Sequence, residues 1–279
     1  MRFTPKYTRG SLTTVDGARI DYVIMGEGSV PMVVIPGAND GLSTVGDSAA
    51  SLARSYYKRL DKYRLLIIGR REPIPERFGV DRHAMDMLWA VNKLNWGPSV
   101  WEGISAGGFI ALWAAIKGRN LVRGLILTST AAYMNEAGRA VAEEWLELVA
   151  EERWKDLIWS SISYTCSGWR LWLYRLLRPL LGLFVRPQPY ARTRMTRLIQ
   201  ELLRADARSI LPYITCPALV IGGEDDRIVP AEAQREMAAT LRNARLVLSP
   251  GCGHDSDRGN PIYEREVDRF VDEVMVVDN

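Results

Sequence analysis

Gly103-Ile104-Ser105-Ala106-Gly107, followed by Gly108, is the stretch whose reading decides the fold. Ser99-Val100-Trp101 precedes it; short, apolar and bounded by Gly97-Pro98, it predicts a buried strand. Phe109 to Lys117 follows, apolar on most sides with Gly118 just past its end, and predicts a helix. A serine in G-x-S-x-G between a strand and a helix sits on a turn so tight that flanking side chains must be absent. Such a turn lifts the hydroxyl above the sheet edge, where it can act as a nucleophile.

A serine hydroxyl needs a base, and the chain has two histidines, His83 and His254. His254 lies in Pro250-Gly251-Cys252-Gly253-His254-Asp255, after the strand-like run Ala244 to Leu248. A final helix follows, marked by Tyr263, Val267, Phe270, Val271 and Val274. From a loop so placed, an imidazole can reach over the sheet edge. His83 falls instead in an amphipathic helix over Asp81 to Leu94 and is expected on its surface or half-buried. His254 is the candidate base. For the acid, Gly223-Glu224-Asp225-Asp226-Arg227-Ile228-Val229-Pro230 follows strand-like Ala218 to Ile221, between the serine and the histidine in chain order.

The order Ser, Asp, His, with the elbow and the glycine-rich histidine loop, resembles the α/β-hydrolase superfamily, in its serine-nucleophile branch with a helical cap domain. The resemblance covers nearly the whole chain. Within it, the pattern G-x-x-D-x-x-V-P matches Gly223, Asp226, Val229 and Pro230; Asp225 would need a slip of one residue. The strand Pro31 to Ile35 ends in Pro36-Gly37-Ala38-Asn39-Asp40-Gly41, where the family commonly reads His-Gly-X and uses the N–H of X as an oxyanion donor. By that match Ala38 is the first oxyanion-binding residue and Ala106 the second. Proline in place of the histidine leaves that donor intact and changes what holds the loop.

The resemblance implies a serine hydrolase cleaving a carboxylic ester, lactone or thioester through an acyl-enzyme. Ser105 attacks, His254 takes its proton, Asp226 orients the imidazole, and no cofactor or metal is required. Two other activities fit the same residues, carbon–carbon bond hydrolysis and cofactor-free perhydrolysis, and a non-enzymatic small-ligand receptor is a further alternative. Dehalogenases and epoxide hydrolases carry aspartate at the elbow, so Ser105 argues against both.

The rest of the chain predicts an α/β fold, a mostly parallel, doubly wound sheet with a helical cap inserted after the sixth strand. Val15-Asp16-Gly17-Ala18 reads as a hairpin turn into Arg19 to Met25, and Tyr63 to Ile68 and Gly124 to Thr128 read as further strands. Residues 1–133 and 209–279 are assigned to the core and 134–208 to the cap, which holds five of the nine tryptophans. A cap there is expected to roof the cleft and wall the substrate. From Gly168 to Gln200 there are seven arginines and no acidic residue, with Pro179 and Gly182 interrupting the leucine- and tryptophan-rich part. Three readings stand. The apolar face packs on the core while Arg170, Arg175 and Arg178 snorkel to water; the arginines attract an anionic acyl substrate; or the helix rests on lipid.

Composition bounds the function. The 279 residues suit one large α/β domain with a cap, and 47% hydrophobic with 25% charged residues is ordinary for a globular protein. A net charge of +3 is too small to argue for nucleic acid, and no aromatic–basic motif of a known RNA module appears, so no nucleic-acid partner is expected. No run of eighteen apolar residues exists, and Met1-Arg2-Phe3-Thr4-Pro5-Lys6 lacks an apolar signal core, so a cytoplasmic protein without a transmembrane segment is expected. Cys166, Cys216 and Cys252 show neither zinc spacing nor a disulfide pattern. The expected partner is a small, apolar acyl substrate, with membrane-surface contact through the cap as an open possibility.

Overall fold

Short β-branched and leucine runs whose two faces are both apolar can be satisfied only at the centre of a covered sheet. The computed structural model, which describes residues 6–181 and 187–276, places them there. Eight strands pair in the order β1-β2-β4-β3-β5-β6-β7-β8: β1 Tyr7–Thr13, β2 Arg19–Met25, β3 Val30–Ile35, β4 Tyr63–Ile68, β5 Ser99–Ile104, β6 Val122–Thr128, β7 Ala218–Gly223 and β8 Ala244–Ser249. β2 runs antiparallel to β1 and β4, and every later pairing is parallel. The predicted hairpin turn joins β1 to β2, with Gly17 at φ +82°.

Nine helices are described: α1 Ala49–Ser55, α2 Val80–Lys93, α3 Ala106–Lys117, α4 Glu136–Ala150, α5 Trp154–Thr165, α6 Gly168–Leu181, α7 Ala191–Leu202, α8 Ala231–Thr240 and α9 Pro261–Val276. Alternation along the strands sorts them. Val33, Ile35, Leu66 and Ile68 pack with Ala90 of α2, Ile110 of α3 and Met237 of α8. Met32, Val34, Leu65 and Ile67 pack with Ala53 of α1 and Phe270 of α9 on the other face. α4 to α7 are inserted between β6 and β7, and α4, α5 and α7 share a separate cluster that includes Val149, Leu157 and Ile199.

Three expectations change. The elbow helix begins at Ala106 rather than Phe109, so its first turn starts immediately after Ser105. His83 is neither on the surface nor half-buried: its side chain is wholly enclosed, with Nε2 3.0 Å from a Glu201 carboxylate oxygen on α7. α6 does not lay its apolar face on the core, because Trp169, Trp172, Leu173, Leu176 and Leu177 are all exposed. Pro179 sits inside the last turn of α6 without ending it. Met1 to Pro5, Gly182, Leu183, Phe184 and Arg186 lie outside the described residues.

Candidate active site

Ser105 occupies the single residue between the end of β5 and the start of α3, at φ +50° and ψ −118°. A non-glycine residue in that region is strained and persists only where its surroundings dictate it. Here they do. A Cβ on Gly107 would lie 2.2 Å from the Ile35 carbonyl oxygen, and one on Gly103 would lie 2.6 Å from Gly108 Cα. The Ser105 N–H donates to the Thr128 carbonyl at 2.8 Å, tying the turn to β6.

The loop between β8 and α9 carries His254 to this turn. Its Nε2 lies 2.9 Å from Ser105 Oγ and its Nδ1 2.8 Å from Asp226 Oδ2. The second Asp226 oxygen accepts from the N–H groups of Ile228 and Val229, both at 2.9 Å, which fixes the carboxylate in the turn after β7. Asp225 is exposed and uses its own N–H to bond the Cys252 carbonyl. Burial works against charge on the His254 imidazole, but the adjacent Asp226 carboxylate outweighs it, with Asp257 and Asp255 adding to the effect, so the pKa is raised above the ordinary histidine value. A hydroxyl, an imidazole and a carboxylate in this sequence can pass a proton off the serine and hold the resulting imidazolium.

Ala38 opens a short 3-10 turn, Ala38–Gly41, and Ala106 opens α3. The first N–H groups of helical turns have no internal acceptor. Both residues line the same cavity as Ser105, and a Cβ on Gly37 would meet Ser105 Cβ at 3.3 Å, so the loop after β3 packs directly against the serine. The cavity holds about 350 Å³. Its walls are mostly apolar, with Phe109 from the core and Val141, Trp145, Leu157 and Ile199 from the insertion, and Asp255, Asp257 and Arg258 also reach it. Cys166 also lines it, and burial pushes that thiol's pKa up.

Sequence reasoning did not find what holds these loops. Asp40, in the loop after β3, accepts from the Arg70 N–H at 2.8 Å, while Arg70 Nη1 donates back to the carbonyls of Pro36 and Gly37 at 3.2 and 3.3 Å. Arg194 reaches into the same place from α7 with 0% of its side chain exposed. It donates to the Asp40 carbonyl at 2.7 Å and carboxylate at 2.9 Å, to the Arg71 carbonyl at 2.7 Å, to the Glu72 carboxylate at 2.8 Å and to the Arg70 carbonyl at 3.0 Å. The loop with proline in place of the usual histidine is thus braced by two arginines and an aspartate. The histidine loop is tied down likewise. Asp255 N–H donates to the Thr165 carbonyl at 3.1 Å, Gly253 N–H to Ser167 Oγ at 3.1 Å, and Arg170 Nη1 lies 2.9 Å from the Asp255 carboxylate. Paired consecutive arginines after β4 were the visible sequence signal; nothing local marked Arg194 apart from its neighbours.

Residues 45–256 match the family described as alpha/beta hydrolase fold. The chain belongs to the α/β-hydrolase family. Among known proteins it is 30% identical over 158 residues to a pimeloyl-[acyl-carrier protein] methyl ester esterase of Nitrosomonas europaea, a match covering 54% of this chain. It spans 62% of the length of that relative, under two thirds. A solved thermophilic esterase from Thermogutta terrifontis superposes with a TM-score of 0.75 at 20% identity, over 96% of this chain and 99% of the other. The enol-lactonase of Burkholderia xenovorans LB400 superposes with a TM-score of 0.71 at 20% identity, over 96% and 98% of the two chains. At such identities the two superpositions speak to the fold. Among the described residues no helix is long and apolar enough to cross a membrane, and no three His, Cys, Asp or Glu side chains group to hold a metal ion.

Proposed function

We propose that this chain hydrolyses carboxylic esters of apolar acyl groups through an acyl-enzyme formed on Ser105. The observation that carries the reading is the unbroken line from Ser105 Oγ through His254 to Asp226, at 2.9 and 2.8 Å, at the base of an apolar cavity. His254 takes the Ser105 proton as Oγ attacks the acyl carbonyl. The tetrahedral oxyanion is held by the N–H groups of Ala38 and Ala106, the latter at the positive end of α3. The proton then passes from His254 to the departing alkoxide, which leaves as an alcohol. A water molecule gives a proton to His254, attacks the acyl-enzyme, and the acid departs as Ser105 regains its proton. Asp226 keeps the imidazole in the tautomer that presents Nε2 to the serine.

Helices α4 to α7 act in this reading as the cap, since all four contribute residues to the wall of the cavity that holds Ser105. A cavity of about 350 Å³ suits a short or medium acyl chain, and the related methyl ester esterase supports a small alcohol as leaving group. Three cysteines that form no disulfide fit a reducing, cytoplasmic setting. The test is a substrate panel of short and long p-nitrophenyl esters, lactones and acyl thioesters, with a fluorophosphonate probe run in parallel. Ester turnover with labelling at Ser105 supports the proposal. Binding without turnover would make the chain a ligand receptor, and turnover of only carbon–carbon or peroxide substrates would move it to those reactions.

A further inference from the structure

α6 is amphipathic, with its apolar side turned outward. Trp169, Trp172, Leu173, Leu176 and Leu177 follow the spacing i, i+3, i+4, i+7, i+8 of a single helical stripe. Their exposures are 73%, 65%, 37%, 65% and 39%. The inward side is occupied by polar work: Arg170 pairs with Asp255, Tyr174 lines the cavity, and the Arg178 guanidinium lies 4.8 Å over the Trp159 ring. At 100° per residue, Arg175 falls beside Trp172 at the border of the stripe. Among the described residues neither Arg175 nor Arg178 has a carboxylate partner, and the sequence has no acidic residue from Gly168 to Gln200.

We propose that this stripe rests on an anionic lipid surface, with the tryptophan and leucine side chains at the acyl boundary and Arg175 facing lipid phosphates. Three physical arguments select that occupant. Two tryptophans on an exposed stripe suit a boundary where one end of the ring is apolar and the N–H is wet. Arg175, without a carboxylate partner in a segment that has no acidic residue, complements a negative surface and would repel a second copy of the same helix. The inward side of α6 lines the cavity through Tyr174, so an acyl chain dissolved in the lipid meets the pocket at the docked helix. The stripe itself does not line the cavity, and only the acyl-delivery argument rests on the ester-hydrolysis reading.

The experiment is co-sedimentation of the full chain with vesicles of phosphatidylcholine alone and of phosphatidylcholine with 30 mol% phosphatidylserine. Pelleting is expected with the anionic vesicles and not with the neutral ones. Trp169→Gln with Trp172→Gln should abolish it; both side chains are exposed, so the fold is not at risk. Arg175→Gln should weaken the partition coefficient by about fivefold, since an arginine near such a surface contributes roughly that factor. Hydrolysis of a soluble short ester should be unchanged in the tryptophan and the arginine variants, and Ser105→Ala should pellet normally, so binding and catalysis fail separately. No pelleting, or equal pelleting with neutral vesicles, overturns the proposal. So does light scattering that shows a dimer dispersed by the tryptophan substitutions, which would assign the stripe to a second copy.

Discussion

Arg194 offers the sharpest test of how this site is built. Arg194→Met keeps an unbranched side chain in place while removing the charge and all five hydrogen bonds to the loops after β3 and β4. Asp40 would retain the Arg70 N–H at 2.8 Å, with the Arg70 guanidinium 3.6 Å from the same oxygen. Removing one partner of a buried ion pair costs about 3–5 kcal/mol, because the remaining charge stays desolvated. Each buried carbonyl left without a donor adds about 1 kcal/mol or more, with overlap between the two effects. We therefore expect a loss of about 4 kcal/mol, a large part of the roughly 5–15 kcal/mol that holds a domain folded. Arg194→Lys, which keeps the charge and loses the fork, should lose about half as much.

The effect should also reach catalysis. Complete loss of an oxyanion donor lowers kcat by about 10² to 10³, so a loosened loop with Ala38 still present should lower it about tenfold with KM little changed. Urea unfolding followed by tryptophan fluorescence gives the stability change at constant slope, and steady-state kinetics on p-nitrophenyl acetate gives the split. Combining Arg194→Met with Asp40→Asn should cost less than the sum of the single changes, by about 1–3 kcal/mol. Arg194→Met within 1 kcal/mol of the parent, with kcat unchanged, would refute the bracing argument.

Ser105→Ala should leave unfolding unchanged and lower ester hydrolysis by several orders of magnitude, with loss of fluorophosphonate labelling in a gel assay. His254→Ala should be about as damaging to turnover. His83→Ala should preserve kcat per folded molecule yet destabilise the fold by about 3 kcal/mol in urea, since it empties the space of a wholly enclosed ring that packs edge-on against Phe78. The base must be neutral to accept the serine proton, so a raised His254 pKa keeps it protonated and inactive to a higher pH. The acid limb of kcat/KM should therefore lie above the ordinary histidine value of about 6.5. Asp226→Asn should shift that limb downward and lower kcat by about 10⁴.

Legibility in the sequence followed how local each constraint is. The elbow could be read because two backbones approach so closely at Gly103 and Gly107 that only glycine fits, and that demand is written within five residues. Strand and helix order could be read from periodicity, with Tyr63–Ile68 spanning the residues expected. The three residues that meet at the serine were named from motif spacing. Separating Asp226 from Asp225 rested on resemblance, and the structure places Asp226, its side chain unexposed, against the imidazole. Burial of single polar groups could not be read. His83 and Glu201 lie more than a hundred residues apart, as do Asp40 and Arg194, so no window of sequence holds both partners.

The chain by itself therefore determined an α/β sheet and its serine elbow, because these depend on repeating side-chain period and on backbone sterics, while the histidine and acid candidates came from loop position, chain order and family resemblance. Only the tertiary structure decided which arginine of seven is buried as a brace and which way α6 faces. A helical stripe of tryptophan and leucine reports that one side is apolar. What lies opposite that side depends on the packing of the whole insertion, and here α6 directs Arg170 and Tyr174 inward and its apolar stripe to the solvent.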